Sequence, residues 1–396
     1  MMKLSFPRLH VDTSATKVLI DWYCQRLGMN VLKTMHNDTE LIHWLGYENM
    51  PSSSFVEFRS DIHQANPPKS YLHQPSSDVY WKIGLSLIDV DTARSQLVRQ
   101  GVDVTSPKQF RDIGYMCHLK DPFGYSIELL QHDFQSNFRS ERIQSSLQPN
   151  LALGQQTHLG QITLRVSNIE KSLRFYQSAL GMKLLSRQTI PDMFDLYFLA
   201  CTDEKPPSVD LNAVEIREWL WRRPYTTLEL QHWPQEDRKY TSADLDQESG
   251  FSALAFTVDA KRFEGLKINL NVQDVSQKYP EYGTRVLQCK DPDETSVLFI
   301  QKWHILEEHQ VLIFLSLEWI ITSLCVSPLT ICLYTSTYIF FGMHNVNLVI
   351  RWSLDYFTGH PRGFFLVFSK IIWLQAQCLF KAGFQVYVRG KNMCYV

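Results

Sequence analysis

Two glutamates stand inside otherwise apolar runs: Glu128 between Ile127 and Leu129, and Glu229 between Leu228 and Leu230. A carboxylate so placed can move a proton or hold a cation, and it can equally be the solvent-facing residue of a half-buried strand. A third run, Gln161-Ile-Thr-Leu-Arg165-Val166, alternates strictly. Gln161, Thr163 and Arg165 share one face, while Ile162, Leu164 and Val166 share the other. Arg165 can grip a carboxylate through a bidentate pair, or make only a surface ion pair. The thirteen histidines do not cluster. His132, His158 and His232 each lie near a strand, but a two-histidine-one-carboxylate iron site is unsupported.

The elements that would position these residues repeat. After Val166, Asn168 offers an N-cap, and Ile169, Leu173, Tyr176 and Leu180 follow at helical spacing up to Gly181. Strands are expected next over Lys183 to Gln188, Leu196 to Cys201 and Thr226 to Gln231. The same strand-helix-strand order starts at Leu4, with a helix over Thr16 to Leu27 and strands at Asn30 to Met35, Glu40 to Tyr47 and Ser54 to Arg59. It starts again at Val79 to Leu87, with a helix over Asp91 to Arg99 and strands at Gly101 to Thr105, Gly114 to Leu119 and Tyr125 to Gln131. A fourth copy runs from Gly250 to Ile300. Starts recur at intervals of about 75–90 residues, each β-α-β-β-β, which is the pattern of a structural repeat. Leu27-Gly-Met29 and Leu180-Gly-Met182 close helices in modules one and three, and Asp121-Pro122 and Asp291-Pro292 precede the last strands of modules two and four.

Composition narrows the class. The chain has 396 residues, 44% hydrophobic and 20% charged, with a formal net charge of −2. That length suits two or three domains, and no long basic run supports nucleic-acid binding. Eight cysteines are scattered without a C-x-x-C pair, which suits free thiols in a reducing compartment. The first ten residues hold no apolar stretch long enough for a signal peptide, so a cytoplasmic location is expected.

Arg165-Val166, Ser172-Leu-Arg-Phe-Tyr176, Leu180-Gly-Met182, Leu196-Tyr-Phe-Leu199 and Thr227-Leu-Glu229-Leu230 together resemble glyoxalase I, the lactoylglutathione lyase of the vicinal oxygen chelate superfamily. Gly101-Val102 and Asp121-Pro-Phe-Gly-Tyr-Ser-Ile-Glu128 resemble the second half of the same domain type. The resemblance covers about Leu4 to Trp303. It implies an α+β fold of paired β-α-β-β-β modules in two domains, 4–134 and 156–303, joined by a linker at 135–155. It also implies sheets that curl into cups holding a metal, zinc or nickel. In that family each module offers up to two ligands, from its first and last strands, and sites combine modules of opposite halves. Carried over, module three supplies Gln161 and Glu229, and module two supplies Glu128. The remaining position, where the family has His, falls on Lys82. An ammonium has no lone pair for a metal, so Lys82 either loses its proton or replaces the metal with its own charge. Module one supplies Glu57, with Arg8 or His10 on its first strand, and module four has Ala253 and Leu298.

Three functions follow from the resemblance. The first is a glyoxalase I-like lyase acting on the glutathione hemithioacetal of a 2-oxoaldehyde. There Gln161, Glu229 and Glu128 would hold the metal, Glu128 would move the proton, and Arg165 would hold glutathione. The second is a catalytically silent member that binds a small molecule or a partner protein. The third is another metal-dependent reaction of the superfamily. The insertion Asn212 to Tyr225, with Arg217, Arg222 and Arg223, reads as a lid or packing segment, or as a binding site for an acidic ligand. The sites could form within a monomer or across a homodimer. Residues 304–396 stand outside the repeat. Trp319 to Phe341 is apolar and long enough to span a bilayer, although Pro328 and many Ser and Thr weaken that reading. The tail is either a membrane anchor or a stretch without evolved structure.

Overall fold

The computed structural model describes residues 2–302, apart from 12–15, 49, 51–52, 63–72, 140–152, 155 and 241–249, and four residue pairs between 348 and 394. Met1–Trp303 forms one compact unit and His304–Val396 another. The stretch 319–341 lies outside the described residues. Among the described residues, no helix is long and apolar enough to cross a membrane.

Four β-α-β-β-β modules make up the first unit. Module one comprises β1 (Met2–His10), α1 (Thr16–Leu27), β2 (Asn30–His36), β3 (Glu40–Gly46) and β4 (Val56–Asp61). Module two has β5 (Tyr80–Leu87), α2 (Val90–Arg99), β6 (Lys108–Phe110), β7 (Gly114–Lys120) and β8 (Ser126–Gln131). Module three has β9 (His158–Arg165), helix α3 (Ile169–Leu173, continued in π form over Arg174–Ala179), β10 (Lys183–Thr189), β11 (Asp195–Ala200), α4 (Glu215–Trp221) and β12 (Thr227–His232). Module four has β13 (Gly250–Val258), α5 (Ala260–Asn269), β14 (Gln273–Asp274), β15 (Val286–Lys290) and β16 (Ser296–Gln301). Side-chain caps start three of the helices. Asp89, Asn168 and Asp259 accept from Thr92 N, Lys171 N and Arg262 N at 3.0, 3.0 and 2.8 Å, each contributing about 1 kcal/mol.

The strand expected at Gly101 to Thr105 does not form as such. Val104 makes a single bridge to Leu119, and the regular strand is Lys108–Phe110, beyond Pro107, which has no N–H for a ladder.

The modules join into two eight-stranded sheets, ordered β14-β15-β16-β13-β1-β4-β3-β2 and β10-β11-β12-β9-β5-β8-β7-β6. Module one therefore shares a sheet with module four, and module two with module three. Antiparallel pairing of two first strands, β1 with β13 and β5 with β9, makes each central seam. Within every module the first and last strands run parallel. Both sheets therefore close within one chain.

Period-two alternation then divides the apolar residues. Leu4, Ile83, Leu129, Ile162, Leu228 and Phe299 point to the helix side, into one core shared by both sheets. The opposite face of each sheet carries its own smaller cluster. Two buried tyrosines lock the helices of modules one and three onto the Asp-Pro turns of modules two and four. Tyr23 donates to Asp121 at 3.0 Å, and Tyr176 donates to Asp291 at 2.8 Å. Burial pushes the Asp121 carboxyl up to about 7 and that of Asp291 up to about 6, against the pull of their hydrogen bonds.

Candidate active site

The polar face of the sheet formed by modules two and three, the inner cup, brings four of the singled-out residues together. Lys82 lies on β5, Glu128 on β8, Gln161 on β9 and Glu229 on β12, and all are 2–3% exposed. Lys82 Nζ donates to Glu128 Oε2 and lies 4.0 Å from Glu229 Oε2. Gln161 Nε2 donates to Glu128 Oε1 at 2.7 Å, and Thr163 Oγ1 donates to Glu229 Oε2 at 2.7 Å. His118, at the half-open rim on β7, sets Nε2 2.9 Å from Glu128 Oε2. The strand registers explain the convergence. Lys82 lies opposite Thr163 and Gly84 opposite Gln161 across the seam, and Glu128 lies beside Gly84 and Glu229 beside Thr163.

Two local features make this packing possible. Trp81 is an extra residue in β5, between Tyr80 and Lys82. Such a bulge re-aims its neighbours: Tyr80 stacks on Phe251 in the shared core at 5.1 Å, while Lys82 Nζ lies 4.3 Å over the Trp81 ring. Gly84 leaves room for Gln161, because a Cβ at residue 84 would sit 2.3 Å from Gln161 Cγ.

The two carboxylates differ electrostatically. Burial would raise Glu128, but the Lys82 ammonium and the adjacent His118 outweigh it and hold the carboxyl down to about 2. Glu229 is raised, because its burial and the negative charge of Glu128 exceed the more distant attraction of Lys82.

Arg165 sits on the same face of β9. Its Nε donates to Gln231 Oε1 at 3.1 Å, Nη1 lies 2.9 Å from His73 Nε2, and the guanidinium stacks 4.9 Å over Trp81. The insertion serves packing. Trp221 of α4 donates to the Ile113 carbonyl at 2.9 Å and meets Phe198 edge-on. Arg217 bonds Ser186 and backbone carbonyls, Arg222 pairs with Asp133, and Arg223 pairs with Glu204.

The outer cup, of modules one and four, is filled. The β1–β4 register sets Arg8 beside Glu57, where the inner cup has Thr163 beside Glu229. The position matching Gln161 and Lys82 is therefore two residues earlier, at Phe6, and neither Arg8 nor His10 occupies it. Phe6, Ala253 and Leu298 form an apolar cluster with Tyr279 and Tyr282. Glu57 accepts from Arg8 at 2.7 Å, Arg59 at 2.8 Å, Trp44 at 2.8 Å and the Tyr282 hydroxyl at 2.7 Å. Burial acts to raise Glu57, but the two arginines hold it down to about 2.

The resemblance implies a metal in such a cup, and the donor set can be tested against one. Gln161, Glu128 and Glu229 offer three side chains, as many as a catalytic zinc takes from its protein beside a water, so the donor count alone does not decide. The fourth position carries an ammonium that donates to Glu128. Among the described residues, no group of three His, Cys, Asp or Glu side chains could hold a metal ion. The residues as arranged do not fit a bound divalent metal.

His118, Trp81 and Gly84 were not singled out by sequence reasoning, and Thr163 was read only as part of the polar face of its strand. His118 was within reach, since a β7–β8 hairpin around the Asp121 turn sets it opposite Glu128. The bulge left no sequence signal.

A cup of paired β-α-β-β-β modules with polar residues on first and last strands defines a class, and comparison with known proteins agrees. Residues 13–129 and 158–297 match the model of the Glyoxalase/Bleomycin resistance protein/Dioxygenase superfamily, and the chain belongs to it. A lactoylglutathione lyase of Pseudomonas aeruginosa is 36% identical over 129 residues, 30% of this chain and 70% of that protein. One from Neisseria meningitidis is 35% identical over 143 residues, 35% of this chain and 86% of that protein. The fold is that of glyoxalase I from Zea mays, with a TM-score of 0.51 at 19% identity, covering 76% of this chain and 92% of that one.

Proposed function

We propose that the inner cup is a glyoxalase I-type active site that isomerises the hemithioacetal of a 2-oxoaldehyde and glutathione to a thioester. One observation carries this reading: two buried carboxylates of opposite electrostatic character flank one ammonium at the family's site positions. The isomerisation moves a proton between adjacent carbons with no net redox change. Glu229, raised by burial and bonded by Thr163, suits the residue that takes the proton from one carbon and returns it to the next. Glu128, to which the resemblance gives the proton transfer, is held near 2 by Lys82 and suits a fixed counter-charge instead. The Lys82 N–H groups would hydrogen-bond the oxygen on which negative charge develops. Arg165, stacked on Trp81, would take a substrate carboxylate. No step is routed through a metal.

The test is thioester formation by the full chain from glutathione and a 2-oxoaldehyde. Glu229→Gln is expected to lower kcat by about 10²–10⁴-fold, the usual contribution of a positioned proton-transfer group. A wild type no faster than this variant contradicts the proposal. A second reading, a silent cup that binds without turnover, is favoured by the Lys82–Glu128 pair, which already satisfies both groups. It would show as glutathione-conjugate binding, measured calorimetrically, in a chain without isomerase activity.

A further inference from the structure

The mismatch between Lys82 and a metal ligand set has a second side. The ammonium lies between the two carboxylates that would otherwise share a cation, in contact with Glu128 and 4.0 Å from Glu229. A metal bridging these carboxylates would have to share the space that Nζ holds. Lys82 also has no ready way out. It is 3% exposed on a central strand, and its Nζ rests over Trp81. Leaving would strip two buried carboxylates of their cation. The outer cup answers the same problem in the same way, because Glu57 is neutralised by Arg8 and Arg59.

We infer that Lys82 is the resident cation of the inner cup: its ammonium stands in for a divalent metal, keeps one out, and supplies the positive charge toward a substrate oxygen. The substrate class rests on the proposed function; the exclusion of metal does not.

The experiment incubates the full chain with excess Zn²⁺ or Ni²⁺, removes unbound ion by gel filtration and measures metal by elemental mass spectrometry. Glu229→Ala serves as the background for ions held elsewhere. Wild type is expected to match that background. Lys82→His, which restores a fourth donor, is expected to gain about one equivalent and to lose it again when combined with Glu229→Ala. Lys82→Met, with no ammonium and three donors, covers the case in which the histidine variant does not fold, and should also gain metal above background. Wild type holding an equivalent that Glu229→Ala removes would overturn the inference. So would variants at Lys82 that fold yet take up no metal, since the ammonium would then not be what excludes it. If the wild type turns over, chelator should leave its rate unchanged. Absence of turnover would count against the proposed reaction, while the metal contents would still decide the role of Lys82.

Discussion

The inner and outer cups are built on the same strand plan, with first and last strands parallel and two modules meeting antiparallel at the seam. They spend it differently. The outer cup places Phe6, Ala253 and Leu298 at three of four equivalent positions and buries the fourth, Glu57, under two arginines and Tyr282. The inner cup keeps polar residues at all four positions, one of them the Lys82 ammonium, and leaves Glu229 with Thr163 and a distant lysine. A carboxylate saturated by two guanidiniums is a structural element. One whose charge is only partly balanced, with its pKa raised, has chemistry left to do.

Removing a partner should separate the two cups. Glu57→Ala leaves Arg8 buried without its carboxylate, while Arg59 keeps Glu40 and Glu281, and is expected to cost about 3–5 kcal/mol in urea unfolding. A loss below about 1 kcal/mol would mean that the outer cup is not held together this way. Lys82→Met should cost less, about 2–3 kcal/mol at neutral pH, because Glu229 can take up a proton in response. That cost should shrink as pH falls and the carboxylates become neutral; a pH-independent cost would argue against the triad. Gly84→Ala sharpens the contrast within the inner cup. The new Cβ drives Gln161 off Glu128, at about 1–3 kcal/mol for the lost bond to a buried charge. An unchanged melt and an unchanged Gln161 side-chain amide NMR shift would show that the close approach does not position Gln161.

The pH profile of stability supplies a further test. Glu57 and Glu128, depressed to about 2 in the folded state, contribute stability above their ordinary range near 4.5 and lose it as pH falls toward 2. Asp121 and Asp291, raised to about 7 and about 6 from 3.8, contribute stability below that ordinary value and lose it as pH rises through 6 and 7. Stability should therefore peak between the two ranges, on the mildly acidic side. Asp121→Asn should flatten the decline toward neutral pH in urea titrations, and a variant with the wild-type slope would remove Asp121 as its cause.

Much of this was legible in the sequence. Alternation at Gln161 to Val166 and glutamates flanked by apolar neighbours at 128 and 229 set the strands and their polar face. Recurrence of the module gave the repeat, and the Asn168 cap and Gly181 fixed α3. What stayed hidden depended on register and on long-range contacts. A one-residue bulge at Trp81 puts Tyr80 and Lys82 on opposite faces, although spacing alone puts them together. The β1–β4 register puts Phe6, and not Arg8 or His10, at the matching outer position. Tyr282 fills the outer cup from module four, far along the chain from Glu57. Gly84 matters only because Gln161 crosses it. None of these has a local signature, since each is a property of two strands meeting.

The most direct measurement is a double-mutant cycle on the inner cup. Lys82→Met, Glu128→Gln and the double variant would be unfolded in urea at neutral pH, alongside the wild type. An ammonium built into the site as the partner of Glu128 predicts a coupling of about 1–3 kcal/mol, the range for contacting groups in one buried network. Additive losses, within about 0.3–0.5 kcal/mol, would contradict it, because Lys82 would then not be the cation on which the inner cup depends.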